Sequence, residues 1–316
     1  MPDAALYSSR HAPGRYAPAR SLIELETVSP ALFVFKRGPP PAVSLVYRLS
    51  PDIRKRAMSH SPDLAASSRS MAPRSKTYPQ FILFGDSITQ GASHVFQSSL
   101  QDWYMRRVDV LNRGFSGYTA PAGYDNLLQF FPPVLPSSCF PRVQLMTIFF
   151  GANDACLPGN PQHVSIEQYK QSLRDIVNFE GVKLHDTKII LIVPAPVDEW
   201  QLATGERKAS TTAKYAAACR EVGQELALPV LDLWTIFMLK AGWTEGSTDP
   251  LIGSKAAPKN KVFEELLSDG LHFTPTAYQL VFDELVKLIH EKLPDQLPEN
   301  LPSIFPDWRA KLGVVT

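Results

Sequence analysis

From Phe81 onward the chain alternates short, continuously apolar runs with longer stretches of helical period, and this alternation leaves few folds open. A run such as Ile189-Ile190-Leu191-Ile192-Val193 has no polar face, so as a strand it must be covered on both sides. Strands are predicted at 81–84, 108–112, 144–150, 188–193 and 230–233. Between the third and fourth, Ser165 followed by Gln168 forms a capping box ahead of the apolar stripe Ile166, Tyr169, Leu173, Ile176 and Val177. A helix is predicted over 211–227, stopped by Pro229 before the fifth strand. Thr274-Pro275 supplies a cap and a first-turn proline for a last helix whose stripe runs through Tyr278, Val281, Leu285 and Ile289. Strands that alternate with helices join as parallel βα units. The predicted class is therefore α/β, a three-layer αβα sandwich around a five-stranded parallel sheet.

The first 80 residues differ in character. They hold 12 Lys and Arg against 5 Asp and Glu, and 11 of the 28 prolines, with Pro39-Pro40-Pro41 and serines clustered between Ser59 and Ser70. Such a composition resists packing. Residues 1–77 are accordingly expected to be a low-complexity, disordered extension, 78–293 the folded domain, and 294–316 a proline-rich tail that wraps the surface through Leu301, Ile304, Phe305 and Trp308. The first 30 residues lack the apolar core of a secretory signal. Arg10, Arg15 and Arg20 suit a mitochondrial presequence, whereas Asp3, Glu24 and Glu26 do not. A cytoplasmic location is the expectation, a mitochondrial one the alternative, and secretion is not expected.

Other function classes fall away on charge and spacing. A formal net charge of +1 leaves no global field to gather nucleic acid or acidic lipid. No apolar run approaches the roughly 18 residues of a membrane span. Three cysteines, Cys139, Cys156 and Cys219, without CxxC spacing suggest neither a disulfide framework nor structural zinc. The seven histidines contain no His-Glu-x-x-His, and His94, His163, His185 and His290 read as surface or helix-face residues rather than metal ligands. Gly-x-Ser-x-Gly, Gly-x-Gly-x-x-Gly and P-loop strings are absent. No metal or organic cofactor is expected, and the expected partner is a small molecule met at a local site.

Ligands of open parallel sheets sit beyond the carboxyl ends of the strands, and the segments there are polar. Gly85-Asp86-Ser87-Ile88-Thr89-Gln90 follows the first strand, Asn112 through Thr119 the second, and Gly151-Ala152-Asn153-Asp154 the third; Asp269-Gly270-Leu271-His272 stands before the last helix. Each has a plain reading: Ser87 as a turn or cap residue, Asn153 as a turn, Gly117 as a positive-φ position, Asp269 and His272 as a solvated turn. Together they are harder to explain so. A serine hydroxyl is a weak nucleophile near neutral pH and needs an imidazole base, which in turn needs an acceptor to fix its tautomer. Asp269 and His272, three residues apart across a flexible glycine, can present both from one turn. Trp200, Trp234 and Trp243 are candidates for an acyl pocket or, more simply, for the core.

These four segments, in this order, resemble the SGNH hydrolases, the GDSL esterases and lipases, over residues 78–293. The resemblance implies a flavodoxin-like SGNH hydrolase fold in which Ser87, Asp269 and His272 are catalytic. It implies an oxyanion hole made by the Ser87 and Gly117 amides and the Asn153 side chain, with Gly114 as the alternative glycine three residues earlier. The string from Asn112 to Thr119 and the turn Asp269 to Phe273 are similar to the isoamyl acetate-hydrolysing esterase branch, which implies hydrolysis of short-chain, acetate-type esters through an acyl-serine. An acyltransferase or carbohydrate deacetylase on the same scaffold, or a non-catalytic ligand-binding domain, is the alternative.

Overall fold

The computed structural model describes residues 76–133 and 140–313. The expected amino-terminal extension and Cys139 lie almost wholly or entirely outside them. The five strands are β1 (Gln80–Gly85), β2 (Asp109–Gly114), β3 (Val143–Phe149), β4 (Lys188–Ile192) and β5 (Val230–Leu231). They form one sheet in the order β2-β1-β3-β4-β5, with every pairing parallel. The predicted five-stranded parallel sheet is thus the one present.

Phe81, Ile82, Leu83 and Phe84 of β1 are all essentially inaccessible to solvent, as a strand with helices on both faces must be. The helices along the chain are α1 (Ser87–Gln90), α2 (Phe96–Trp103), α3 (Ala120–Phe130), α4 (Ile166–Asn178), α5 (Glu180–Leu184), α6 (Ala209–Glu225), α7 (Leu233–Lys240), α8 (Lys261–Leu266), α9 (Pro275–Lys292) and α10 (Trp308–Leu312). Helices α3, α4 and α6 pack side by side, while α2 packs against α9. The expected caps are in place: the Ser165 side chain accepts from the Gln168 amide and that of Thr274 from the Ala277 amide.

Two strand ends depart from expectation by two residues, for local reasons. β2 runs on to Gly114 because the ladder with β1 continues to Gly85. β5 stops at Leu231 because Asp232 turns to cap α7, its carboxylate accepting from the Thr235 amide at 3.1 Å. Helix α6 begins two residues before the predicted start and ends short of Ala227, whose φ of +51° breaks the helical path. No helix among the described residues is long and apolar enough to cross a membrane.

Other expectations are corrected by burial. His185 is not a surface residue but is buried beneath β3: its Nδ1 accepts from the Val143 amide at 2.8 Å and its Nε2 donates to the Pro132 carbonyl at 3.0 Å. Burial and the nearby Arg142 lower its pKa against the opposing pull of the Pro132 bond. The tail is fastened mainly by its backbone, with the Gln296 carbonyl accepting from the Tyr104 hydroxyl and the Pro298 carbonyl from Arg107. Leu301 and Ile304 are half-buried, whereas Trp308 stays exposed with the Arg309 guanidinium over its ring.

The sheet matters to function because three strands finish level. Gly85 at the end of β1 pairs with Gly114 of β2 on one side and Phe149 of β3 on the other. Helix α1 then starts at once and lies against β2 so closely that a methyl group on Gly114 would overlap the Gln90 main-chain nitrogen. Backbone cannot yield as a flexible side chain can. Gly114→Ala should therefore destabilise the domain by at least roughly 1–3 kcal/mol, read as a drop of several degrees in Tm; an unchanged melting curve would show that α1 can shift away from β2.

Candidate active site

Helix α1 exposes Ser87 because a different residue caps it. The buried Asp86 carboxylate accepts from the Ile88 amide at 2.9 Å, the usual geometry of an Asp N-cap. Ser87 is thereby released from the capping role its position suggested and becomes the first helical residue, where its own N–H has no acceptor within the helix. The helix is held from outside by the Tyr278 hydroxyl of α9, which donates to the Ile88 carbonyl at 2.7 Å.

The same helix α9 follows the turn that carries the imidazole. One oxygen of Asp269 accepts from the backbone amides of Leu271 (3.0 Å) and His272 (2.8 Å), and the other lies 2.7 Å from His272 Nδ1. Gly270 has φ +84° and packs on the main chain of Asp198 and Leu202, a conformation and a space that suit only glycine. The far nitrogen of the ring, Nε2, lies 3.0 Å from Ser87 Oγ across 185 residues of sequence. Serine, imidazole and carboxylate thus form one continuous line. Burial pulls the Asp269 carboxyl up, but the bonds from the His272 ring and the two backbone amides outweigh it, and its pKa lies below the ordinary value.

The second and third loops meet beside this line. The Asn153 side chain is buried, with Nδ2 donating to the Tyr118 carbonyl at 2.9 Å and Oδ1 accepting from Arg207 at 3.0 Å. Gln162 donates to the Gly117 carbonyl at 2.8 Å. Of the two candidate glycines, Gly114 has its amide engaged by the Asn112 side chain at 2.9 Å. Gly117 is exposed, has φ +79°, and its amide meets no acceptor among the described residues. Asp154 anchors the pair of loops, its Oδ1 accepting from the Ala120 amide at 2.9 Å while Oδ2 meets no donor among the described residues.

The tryptophans do not form a common wall. Trp234 is buried edge-on against Trp243, and Trp200 is half-exposed with its Nε1 donating to the Ala257 carbonyl at 3.0 Å. Among the described residues no three His, Cys, Asp or Glu side chains gather as metal ligands. Arg207, Gln162 and Tyr278 are site residues that sequence reasoning did not single out. Tyr278 was visible only as part of an apolar helix stripe, and the other two lie in loops without a motif.

What this arrangement belongs to is decided by comparison with known proteins. The GDSL-like lipase/acylhydrolase family model matches residues 83–280. The chain belongs to that family. It is accordingly a carboxylic ester hydrolase of GDSL type. The isoamyl acetate-hydrolyzing esterase 1 homolog of Homo sapiens is 34% identical over 245 residues, which cover 73% of this chain and 88% of that protein. The isoamyl acetate-hydrolyzing esterase of Saccharomyces cerevisiae is 30% identical over 255 residues, 74% of this chain and 96% of that protein. Among solved structures, the lipase/acylhydrolase from Enterococcus faecalis shares the fold with a TM-score of 0.50 and 24% identity, over 71% of this chain and 98% of its own.

Within this GDSL hydrolase, Asp86 and Asp154 carry an unusual electrostatic load. Burial pushes each carboxyl up to about 7, against the lowering effect of the backbone amides they accept from. A carboxyl raised in the folded state favours folding most below its unfolded pKa, and that contribution fades as pH rises from about 4 through about 7. Asp154→Asn keeps an acceptor for the Ala120 amide but removes the ionisation. Relative to wild type, the variant should gain stability between pH 5 and pH 8, measured as the difference in denaturant midpoint; parallel pH profiles would mean that Asp154 stays charged throughout.

Proposed function

We propose that the protein is a serine esterase that hydrolyses short-chain, acetate-type carboxylic esters through an acyl-serine intermediate. The observation that carries this reading is the line Ser87 Oγ, His272 Nε2, His272 Nδ1, Asp269 Oδ2, with contacts of 3.0 and 2.7 Å. In it, His272 takes the proton of Ser87 as Oγ attacks the ester carbonyl, then gives it to the departing alcohol. Asp269 fixes the tautomer that leaves Nε2 free to accept, and its charge stabilises the imidazolium. The oxyanion is met by the Ser87 amide, the Gly117 amide and the Asn153 carboxamide. Water then attacks the acyl-serine by the same path, releasing the acid and restoring the hydroxyl.

The short acyl preference is supported by the relatives, whose names specify isoamyl acetate, an ester of a two-carbon acid. Purified protein offered p-nitrophenyl acetate, butyrate and decanoate should turn over the acetate fastest. A rate that climbs with acyl length would overturn the short-chain assignment and leave a lipase-like pocket.

Three substitutions separate the roles. Ser87→Ala should leave almost no activity, and hydrolysis that survives it would refute the nucleophile. Asn153→Ala should lower kcat by about 10²- to 10³-fold, the ordinary loss for one oxyanion donor. Asp269→Asn has a consequence fixed by geometry. The two backbone amides at Oδ1 require the carboxamide oxygen there, so the NH2 group must face Nδ1. The ring proton is then forced onto Nε2, where the base needs a lone pair, and turnover should fall by up to about 10⁴-fold while the fold persists.

A further inference from the structure

We propose that Arg207 is a positioning residue for the oxyanion site: its guanidinium holds the Asn153 carboxamide in the one orientation that presents Nδ2–H to the developing negative charge. The inference rests on the serine-esterase reading and adds to it a residue outside the four motif loops. Arg207 lies just before α6, at the end of the long connection from β4, and reaches back to the loop after β3.

A carboxamide has two nearly isosteric ends, and sterics alone do not choose between them. The surroundings of Asn153 do. Arg207 Nη2 donates to Oδ1 at 3.0 Å, and Nδ2 donates to the Tyr118 carbonyl at 2.9 Å. Turning the group over would set NH2 against a cation that only donates and a carbonyl oxygen against another carbonyl oxygen. With the observed orientation, one Nδ2 hydrogen is used by Tyr118 and the second remains for the substrate.

The guanidinium is itself fixed. Its Nε donates to the Ala152 carbonyl at 3.1 Å, one residue before Asn153, and Nη2 also approaches Gln162 Oε1 at 3.4 Å. Gln162 in turn donates to the Gly117 carbonyl at 2.8 Å. One cation therefore braces two of the proposed oxyanion donors, the Asn153 side chain directly and the Gly117 segment through Gln162. A hydrogen bond from a cation to Oδ1 also polarises the carboxamide and makes its N–H the stronger donor. The bond acts on charge that appears only during reaction, so its loss should appear in kcat and not in KM.

The test is a double-mutant cycle in the full-length protein with p-nitrophenyl acetate, using Arg207→Met, Arg207→Lys, Asn153→Ala and the pair Asn153→Ala with Arg207→Met, with Ser87→Ala as reference. Arg207→Met should lower kcat roughly ten- to thirtyfold, part of what one oxyanion donor contributes, with KM within about twofold. In the Asn153→Ala background the same change should cost several-fold less than in wild type, the remainder being what acts through Gln162 on the Gly117 segment. Arg207→Lys should recover part of the loss, because an ammonium still donates to Oδ1 but lacks the second anchor on Ala152. If Arg207→Met slows the Asn153→Ala enzyme as much as it slows wild type, or if Arg207→Lys loses as much turnover as Arg207→Met at unchanged Tm, the positioning role is overturned. Should Arg207→Met prove unfolded, the cycle run with Arg207→Lys decides by the same additivity. Activity surviving Ser87→Ala would instead overturn the esterase mechanism, whereas an inactive Ser87→Ala beside a fully active Arg207→Met would overturn only the role of Arg207.

Discussion

A parallel hydrogen-bond ladder that ends Gly85, Gly114 and Phe149 at one level is the constraint on which the site depends. Parallel strands all point the same way, so the loops after β1, β2 and β3 leave the sheet at one edge whatever their distance in sequence. Loop closure over 185 residues is entropically expensive for a free chain, but here the sheet and the α2–α9 layer have already closed it. The bond from Tyr278 to Ile88 then joins the helix of the serine to the helix that follows the histidine. The line of serine, imidazole and carboxylate costs little beyond what the core has already ordered.

That economy is limited at the strand ends, where two acids are buried side by side in charge influence. Asp86 and Asp154 each do local work, the first capping α1 and the second receiving the first amide of α3. Helix N-termini favour negative charge, yet desolvation is the larger effect at both positions, and repulsion from Asp86 raises Asp154 further. Apolar residues at these positions would leave the Ile88 and Ala120 amides without acceptors. Ionisation of either carboxyl near neutral pH opposes folding, while each keeps a helix-terminal amide satisfied.

The strands and the outline of the site were legible because each rests on short-range pattern. A run like Phe81 to Phe84 has no polar face, and Asp269-Gly270-Leu271-His272 places a carboxylate and an imidazole within one turn, so periodicity and spacing carry the information. The parts that were not legible are set by contacts across the fold. His185 carries no sign in its neighbours that a Val143 amide will seek its Nδ1. The early end of β5 follows from Asp232 capping α7, a competition between two legitimate uses of one residue. That Asp86 rather than Ser87 caps α1, and that the Asn112 side chain accepts from the Gly114 amide, are likewise contacts no motif announces. Arg207 sits in a loop without motif, and only the folded chain brings its guanidinium to Asn153.

The connection between β4 and α6 shows why such residues matter more than their sequence suggests. At one end the Asp198 amide donates to the Gly270 carbonyl at 2.9 Å, supporting the turn that holds Asp269 and His272. In its middle the Glu199 amide donates to the Gly253 carbonyl, and Gln201 bridges Asp198 and the Phe263 carbonyl. At the other end the Glu206 carbonyl accepts from the Leu157 amide while Arg207 grips Ala152 and Asn153. One segment therefore touches both the turn of Asp269 and His272 and the loop of Asn153. The turn is tied to it by a backbone bond, and the loop by a backbone bond at Leu157 and by the Arg207 side chain. The turn of Asp269 and His272 and the loop of Asn153, more than a hundred residues apart in sequence, thus share one support.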